Sequence, residues 1–133
     1  MVTREDLESF LIRMDLEYEE IAEGMYLVRS RDDALPLVVN HSPPLLVVRL
    51  KVMDLPPANG SREELYRTLL ELNANDVVHG AYGLEGTELV LNDTLQLESL
   101  DLPELQAAVE SISMAASSHI ERIKSLAGAP VEG

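Results

Sequence analysis

The sequence predicts an α+β domain with one antiparallel sheet of five or six strands and three helices packed mainly on one face. Apolar and charged residues alternate along LLVVRLKVM (Leu45–Met53), and leucines recur at every second position over most of Leu89–Leu97. Such alternation is typical of strands that have one covered face. Three other segments place apolar residues at helical spacing. The predicted element order is α-β-β-β-α-β-β-α.

The length and composition indicate one globular domain. The chain has 133 residues, of which 46% are hydrophobic, enough for a single core. We expect the domain to span residues 1–128 and the last five residues, 129–133, to form a flexible tail. Aromatic residues make up only 4% of the chain, so Leu, Val and Ile must form most of the core. The chain has no cysteine, which excludes disulfides, thiol catalysis and cysteine metal sites.

The net charge restricts the classes of partner. It is −14, from 24 acidic and 10 basic residues, and such a surface repels the phosphates of nucleic acids. The charge serves solubility, or it attracts a basic partner, or it protects an aggregation-prone one. No apolar run is long enough to span a bilayer, and residues 1–20 lack a signal-peptide pattern. We therefore expect a cytoplasmic protein with no nucleic-acid or membrane partner.

The first helix is predicted over about residues 4–15. Thr3 and Asp6 have the spacing of a capping box. Apolar residues then follow at i, i+3, i+4 and i+7, the spacing of one helical face. These residues are Leu7, Phe10, Leu11 and Met14.

Strands are predicted to follow the first helix. The acidic segment Glu17–Glu23 is interpreted as a solvated strand edge, and a hairpin corner at Gly24 leads into the strand Met25–Ser30. The next strand, Leu35–Asn40, contains Pro36, which is tolerated best at a sheet edge or a strand start. The pair Pro43-Pro44 ends this strand before the central strand begins.

The central helix, SREELYRTLLEL (Ser61–Leu72), is the element around which the fold is predicted to be arranged. Ser61 and Glu64 have capping-box spacing. Leu65, Leu69 and Leu72 form an apolar stripe that Tyr66 and Leu70 widen by one column. Either this helix is deeply buried in its own domain, or it serves two neighbours, one of them a second copy of the chain.

A glycine-bearing hairpin and a long helix complete the predicted domain. Val77–Leu84 and Glu88–Ser99 are the hairpin strands. Asp93 falls on the leucine face of the second strand, so either a bulge shifts the alternation at Asn92-Asp93 or Asp93 reaches the sheet rim, and we favour the bulge. Asp101 is the predicted N-cap of the last helix, which is expected to end near residue 127.

No catalytic, cofactor or metal motif stands out. His41, His79 and His119 are scattered without metal-ligand spacing, and structural roles are favoured for all three. The glycines at 80, 83 and 86 match neither a phosphate loop nor a dinucleotide fingerprint. Ser42 has no nucleophile-elbow context. The sequence therefore favours a protein that is not an enzyme and carries no cofactor or metal.

Three stretches resemble the small acidic chaperones of type III secretion (the Tir-chaperone family) and the related YbjN-like proteins. They are EGMYLVRS (Glu23–Ser30), LLELNAND (Leu69–Asp76) and the hairpin with the start of the last helix (Tyr82–Ile112). The likeness extends from Asp6 to Leu126. It rests on a helix with a Leu-Leu-x-x-Asn-like run, a glycine-bearing hairpin and a Leu-rich entry to the last helix.

The resemblance implies a non-enzymatic homodimer that holds an extended segment of a client protein. The implied dimer interface is the central helix, through Leu65, Tyr66, Leu69 and Leu70. For strand addition by the client we favour the predicted edge LPLVVN, with Leu37, Val38 and Val39 as contacts.

Two other functions stay open at this point. One is a YbjN-like stand-alone regulator or adaptor that binds a folded partner or a small ligand. The other is an unrecognised enzyme. Secretion-apparatus genes beside the gene for this protein would favour the chaperone.

Overall fold

The described part of the chain folds into one six-stranded antiparallel sheet and three helices. The computed structural model describes residues 1–29, 35–57 and 61–128. The helices are α1 (Arg4–Arg13), α2 (Glu63–Asn75) and α3 (Leu102–Leu126). The strands are β1 (Glu17–Ala22), β2 (Met25–Arg29), β3 (Leu37–Ser42), β4 (Leu45–Asp54), β5 (Ala81–Glu85) and β6 (Glu88–Gln96). The predicted α+β class is confirmed.

The strands lie in the order β1-β2-β3-β4-β6-β5, and every neighbouring pair is antiparallel. Among the residues described before α2 there are four strands, one more than the predicted element order contains. The additional strand is β1, the acidic segment interpreted as a strand edge. Tyr18 is its only half-buried residue and the others are exposed. The alternation of apolar and polar residues along β1 is weak because most of this strand is exposed to solvent.

The prediction that Leu35–Asn40 forms a sheet edge is wrong. The strand is β3 (Leu37–Ser42), and it pairs with β2 on one side and with β4 on the other. Pro36 precedes the first paired residue, so its missing N–H removes no bond from the ladder. The proline marks the start of an internal strand and not an edge.

One sheet face and the three helices form the core. The strand register places Val28, Leu37, Leu50 and Leu91 in one row across four strands. These side chains belong to one buried cluster with residues from each helix: Leu7 and Leu11 of α1, Leu65, Leu69 and Leu72 of α2, and Leu105, Val109, Ile112, Ala116 and Ile123 of α3. Leu and Val predominate in this cluster, as the low aromatic content predicted.

The bulge that we favoured at Asn92-Asp93 is also wrong. Pairing between β4 and β6 is regular there, with Asp93 opposite Val48, and the irregularity lies in β4 between Lys51 and Met53. Pairing with β5 ends at Asn92, so Asp93 is the first β6 residue beyond the edge strand. Asp93 therefore lies at the rim of the sheet, which is the second of the two alternatives that the sequence left open.

Gly80 lies directly against this point of β6. Its φ is +84°, and a Cβ added there would lie 2.4 Å from the carbonyl oxygen of Asn92. Glycine is therefore required where the chain enters β5, because any side chain would displace the backbone of β6.

Two of the three predicted helix caps are confirmed. The Thr3 hydroxyl accepts from the Asp6 N–H at 3.1 Å, and the Asp6 carboxylate accepts from the Thr3 N–H at 3.0 Å. The Asp101 carboxylate accepts from the Glu104 N–H at 2.8 Å. The cap predicted at Ser61 is wrong: Arg62 is the N-cap of α2, and the Ser61 hydroxyl accepts from the Glu63 N–H. Ser30 and the predicted tail, 129–133, lie outside the described residues.

Candidate protein-binding surfaces

The apolar residues of α2 divide into a buried side and an exposed side. Leu65 and Leu69 are 1% and 6% exposed and pack in the core. Tyr66 and Leu70 are 39% and 68% exposed. Of the four residues predicted at a dimer interface, Leu65 and Leu69 therefore pack α2 against its own core. The other two, Tyr66 and Leu70, are accessible. The additional apolar column is on the surface, as its position beside the main stripe indicated.

The exposed side of α2 continues onto β5. Tyr66 and Leu84, a β5 residue that is 49% exposed, both line a depression of about 320 Å³ together with Leu55 and the prolines that precede α2. We call Tyr66, Leu70 and Leu84 the α2/β5 surface. Exposed side chains of this size on adjacent elements are typical of protein contacts.

The sheet has two edges among the described residues. Within the part of the chain that the structure describes, β5 pairs only with β6, and β1 pairs only with β2. Each edge strand presents backbone N–H and C=O groups that a further strand could pair with. One edge adjoins α2, and the other follows directly from α1.

The β1 edge is acidic. Cross-strand pairing places Glu17 opposite Arg29 and Glu19 opposite Leu27. Glu17 and Glu19 point away from the core, because they alternate with Tyr18, which makes an edge-on contact with the buried Tyr26 at 5.9 Å between ring centroids. A depression of about 200 Å³ lies here, lined by these two glutamates, Tyr18, Leu27 and Arg29.

The sheet face opposite the core carries a strip of half-buried apolar residues. We call this face the open face and the strip, made of Met25, Leu27, Val38 and Val47, the open-face strip. Of the residues predicted to contact a client, only Val38 lies here. Leu37 and Val39 are 4% and 0% exposed and belong to the core. They face the helices because alternate residues of a strand point to opposite faces.

Ion pairs cover the other end of the open face. Arg49 contacts Glu85 at 2.6 Å and Glu88 at 3.4 Å, and Lys51 contacts Asp54 at 3.0 Å and Glu88 at 3.2 Å. Hydrogen bonds to the carboxylates raise the pKa of Lys51. These side chains lie over β4 and β6, so the open-face strip is limited to the β2, β3 and β4 end of the sheet.

A polar chain connects three elements near α2, and two of its members, Tyr82 and His119, are buried while Asp76 is exposed. The ring Nδ1 of His119 lies 2.8 Å from the Tyr82 hydroxyl, and its Nε2 lies 3.2 Å from Asp76. Burial, and secondarily the Asp76 charge, raises the pKa of Tyr82 to about 12. The Asn73 side chain also accepts from the Tyr82 N–H at 2.7 Å. The sequence did not predict this chain, because its members are up to 43 residues apart.

Two histidines, His41 and His119, have structural partners. His41 Nε2 is 2.8 Å from the Val2 carbonyl oxygen, which ties the start of the chain to β3. Across residues 1–29, 35–57 and 61–128, no group of three or more metal-ligating side chains comes together. None of the helices described is long and apolar enough to cross a membrane.

The comparisons with known proteins agree with this architecture. The CesT_Tir_1 family model matches residues 2–129, nearly the whole chain. This chain belongs to the CesT_Tir_1 family. No curated protein matches the sequence significantly.

Solved structures share the fold of this CesT_Tir_1 chain at low sequence identity. One is a chain of the heterodimeric ExoU-SpcU complex from the type III secretion system of Pseudomonas aeruginosa, with a TM-score of 0.68 and 13% identity, covering 90% of this chain and 96% of that chain. The Yersinia pestis type III secretion chaperone SycH, in complex with a fragment of YscM2, has a TM-score of 0.61 and 19% identity, with coverage of 87% and 98%.

The E. coli protein YbjN, a putative transcription regulator, has a TM-score of 0.62 and 13% identity, with coverage of 90% and 94%. The resemblance drawn from the sequence, to secretion chaperones and to YbjN, is therefore confirmed for the family and the fold.

Proposed function

We propose that this protein is a non-enzymatic, dimeric chaperone of the cytoplasm that holds an extended segment of a client protein. Membership of the CesT_Tir_1 family supports this function. So do neighbours that are a secretion chaperone with a bound fragment and a chaperone–effector complex. The observation that carries the proposal is the edge of β1 beside the open-face strip, since among the described strands β1 pairs only with β2.

The dimer forms through the α2/β5 surface. Tyr66, Leu70 and Leu84 are exposed in the single chain, and a second copy packed there would remove them from water. Leu65 and Leu69 lie behind them and hold the helix against its own core. Two subunits that meet at this surface leave both β1 edges accessible, because β1 lies at the opposite end of the sheet.

The client segment adds to β1 as a seventh strand. Backbone hydrogen bonds to β1 supply affinity that does not depend on sequence, and side-chain contacts supply specificity. The next part of the client crosses the open-face strip, where Val38 lies between Leu27 and Arg49 in the strand register. Of the three residues predicted to contact a client, we therefore retain Val38.

A capture experiment with mapping of the bound segment tests the proposal. The tagged full chain is recovered from its native organism, and the protected client segment is identified by limited proteolysis and mass spectrometry. We expect one disordered N-terminal segment of a client, and we expect its addition to slow hydrogen exchange of the amides in residues 17–22. Protection at residues 81–85 in place of β1 would contradict the assignment of the edge.

Val38→Asp should abolish this capture in a protein that still folds and dimerises, because it places a charge in the open-face strip. Met114→Asp, at a 70% exposed position on α3, is the matched control and should retain the client. Recovery of only a folded partner, or of none, would instead favour the regulator or adaptor that YbjN-like proteins suggest.

A further inference from the structure

We propose that β1 selects client segments that carry a basic, an apolar and a basic residue in succession. This inference rests on the proposed strand addition at β1 and specifies the chemistry of the segment that binds. It follows from the order of side chains along the β1 edge and from the charges there that have no ion-pair partner among the described residues.

The residues of β1 alternate in character as well as in direction. Glu17 and Glu19 lie on the open face, and Tyr18 lies between them on the core face. In paired strands, directly opposite residues share a face with their Cβ atoms about 4.5–5.5 Å apart. An added strand therefore places two residues, spaced i and i+2, beside the two carboxylates and the residue between them beside Tyr18.

Other carboxylates of this edge already have partners. The Glu20 carboxylate accepts from the Gly24 N–H at 3.1 Å and lies 3.9 Å from Arg4. Glu23 lies 3.5 Å from the same guanidinium. Among the described residues, neither Glu17 nor Glu19 forms an ion pair. The negative charge available to a client is therefore concentrated at positions 17 and 19.

The depression at this edge suits a long basic side chain. Leu27 lies opposite Glu19 in the register, so an aliphatic stem can pack on it while the charged group reaches a carboxylate. Among the described residues that line the depression, Arg29 is the one cation, and it lies opposite Glu17. Because Arg29 partly offsets the charge of Glu17, the position opposite Glu19 contributes more of the preference.

Tyr18 sets the middle position of the triplet. It is half-buried and already in contact with Tyr26, so an apolar or aromatic residue beside it extends the core-face packing outward. The triplet reads the same in both chain directions, so the preference holds for a parallel or an antiparallel client strand. The net charge of −14 also attracts basic segments at long range.

Three synthetic peptides test the preference with the full chain. They share threonine–valine flanks and differ in a central Lys-Val-Lys, Thr-Val-Thr or Glu-Val-Glu. Affinity is measured by fluorescence anisotropy at low and high salt, and hydrogen exchange of residues 17–22 verifies where each peptide binds. We expect Lys-Val-Lys to bind about tenfold more tightly than Thr-Val-Thr, from two opposite-charge cross-strand pairs. Glu-Val-Glu should bind most weakly, and high salt should reduce the differences.

A charge-reversed variant separates local recognition from overall attraction. Glu17→Lys with Glu19→Lys should reverse the order of the peptides. Glu110→Lys with Glu121→Lys, at exposed positions of α3, makes the same change in net charge and should leave the order intact. Circular dichroism of both variants should match the unmodified chain, since all four positions are exposed.

The outcomes distinguish this inference from the function it rests on. Equal binding of Lys-Val-Lys and Thr-Val-Thr, with β1 protected, would overturn the charge preference and leave strand addition standing. The same conclusion follows if both variants lose the lysine preference equally, since net charge alone would then explain it. Absence of binding and of β1 protection for all three peptides at millimolar concentration would overturn strand addition at β1 as well.

Discussion

At the scale of single residues, the polar chain of Tyr82, His119 and Asp76 constrains the region around α2. It joins β5, α3 and the end of α2 through the buried side chains of Tyr82 and His119 and the exposed carboxylate of Asp76. A buried polar group that loses its partner costs free energy, so the chain stabilises one relative placement of these elements. That placement sets the shape of the α2/β5 surface.

Replacing Tyr82 with phenylalanine should change how stability depends on alkaline pH. The pKa of Tyr82 is about 12 in the fold, above the ordinary value of 10.0 for a tyrosine. Between these values the unfolded phenol loses its proton while the folded one keeps it, so the free energy of unfolding falls as pH rises from 10 to 12. Tyr82→Phe should make this fall shallower, and at neutral pH it should cost about 1 kcal/mol for the lost hydrogen bond.

Urea unfolding from pH 8 to 11 measures both effects. Tyr18→Phe is the control, since its ring is only half-buried and at the sheet edge. Identical pH slopes for Tyr82→Phe and the unmodified chain would show that burial of this phenol does not contribute to alkaline unfolding. Tyr26, whose pKa is raised by burial and by its bond to Glu8, remains in both proteins and accounts for a residual slope.

At the scale of elements, α2 shows why an amphipathic stripe can be too wide for one contact. Leu65, Leu69 and Leu72 fill the side that packs in the core. The adjacent column of apolar residues lies on a different side of the helix and is exposed to solvent. Tyr66 and Leu70 are exposed, and in the proposed dimer a second copy of the chain would cover them.

Leu70→Asp should shift the protein from dimer to monomer. Leu70 is 68% exposed, so the substitution disturbs little within the subunit but places a charge at the proposed interface. Light scattering should give about twice the chain mass of 14.7 kDa for the unmodified protein and about that mass for the variant. Ile12→Asp, at a 63% exposed position on α1, should leave the dimer intact. A monomeric unmodified chain at micromolar concentration would refute the interface.

At the scale of the whole molecule, the sheet separates two proposed binding functions. The α2/β5 surface lies at one end of the strand order and the β1 edge at the other, with four strands between them. One continuous core runs beneath both and includes residues of all three helices. Dimerisation and client binding should therefore be coupled only through the stability of this core.

Equilibrium unfolding should show one transition whose midpoint rises with protein concentration. A single core predicts cooperative loss of structure, and dissociation of a dimer during unfolding makes the midpoint depend on concentration. Far-UV circular dichroism and tyrosine fluorescence should coincide, the latter being usable because the chain has no tryptophan. Separate transitions would indicate more than one folding unit. A midpoint that does not move across a hundredfold range of concentration would indicate a monomer.

Several residues show which parts of the candidate sites were predictable. The exposure of Tyr66 and Leu70 follows from helical periodicity, which is a local property of the chain. The burial of Leu37 and Val39 was missed because Pro36 was interpreted as an edge signal. A proline at a strand start gives the same local pattern whether the strand is at an edge or inside the sheet. The glutamates of β1 indicated a solvated strand edge. Whether that edge can pair with a client depends on which strands lie beside β1, and this is not a local property of the sequence.

The sequence by itself determined the fold class, the caps of α1 and α3 and most of the core. These depend on spacing and on chemistry within a few residues, which the chain carries locally. Only the tertiary structure decided the order β1-β2-β3-β4-β6-β5, the internal position of β3 and the meeting of Tyr82 with His119. The alternation of apolar and polar residues along a strand indicates which side chains share a sheet face. It does not indicate which strands are neighbours, because pairing between distant strands is set by packing of the whole core.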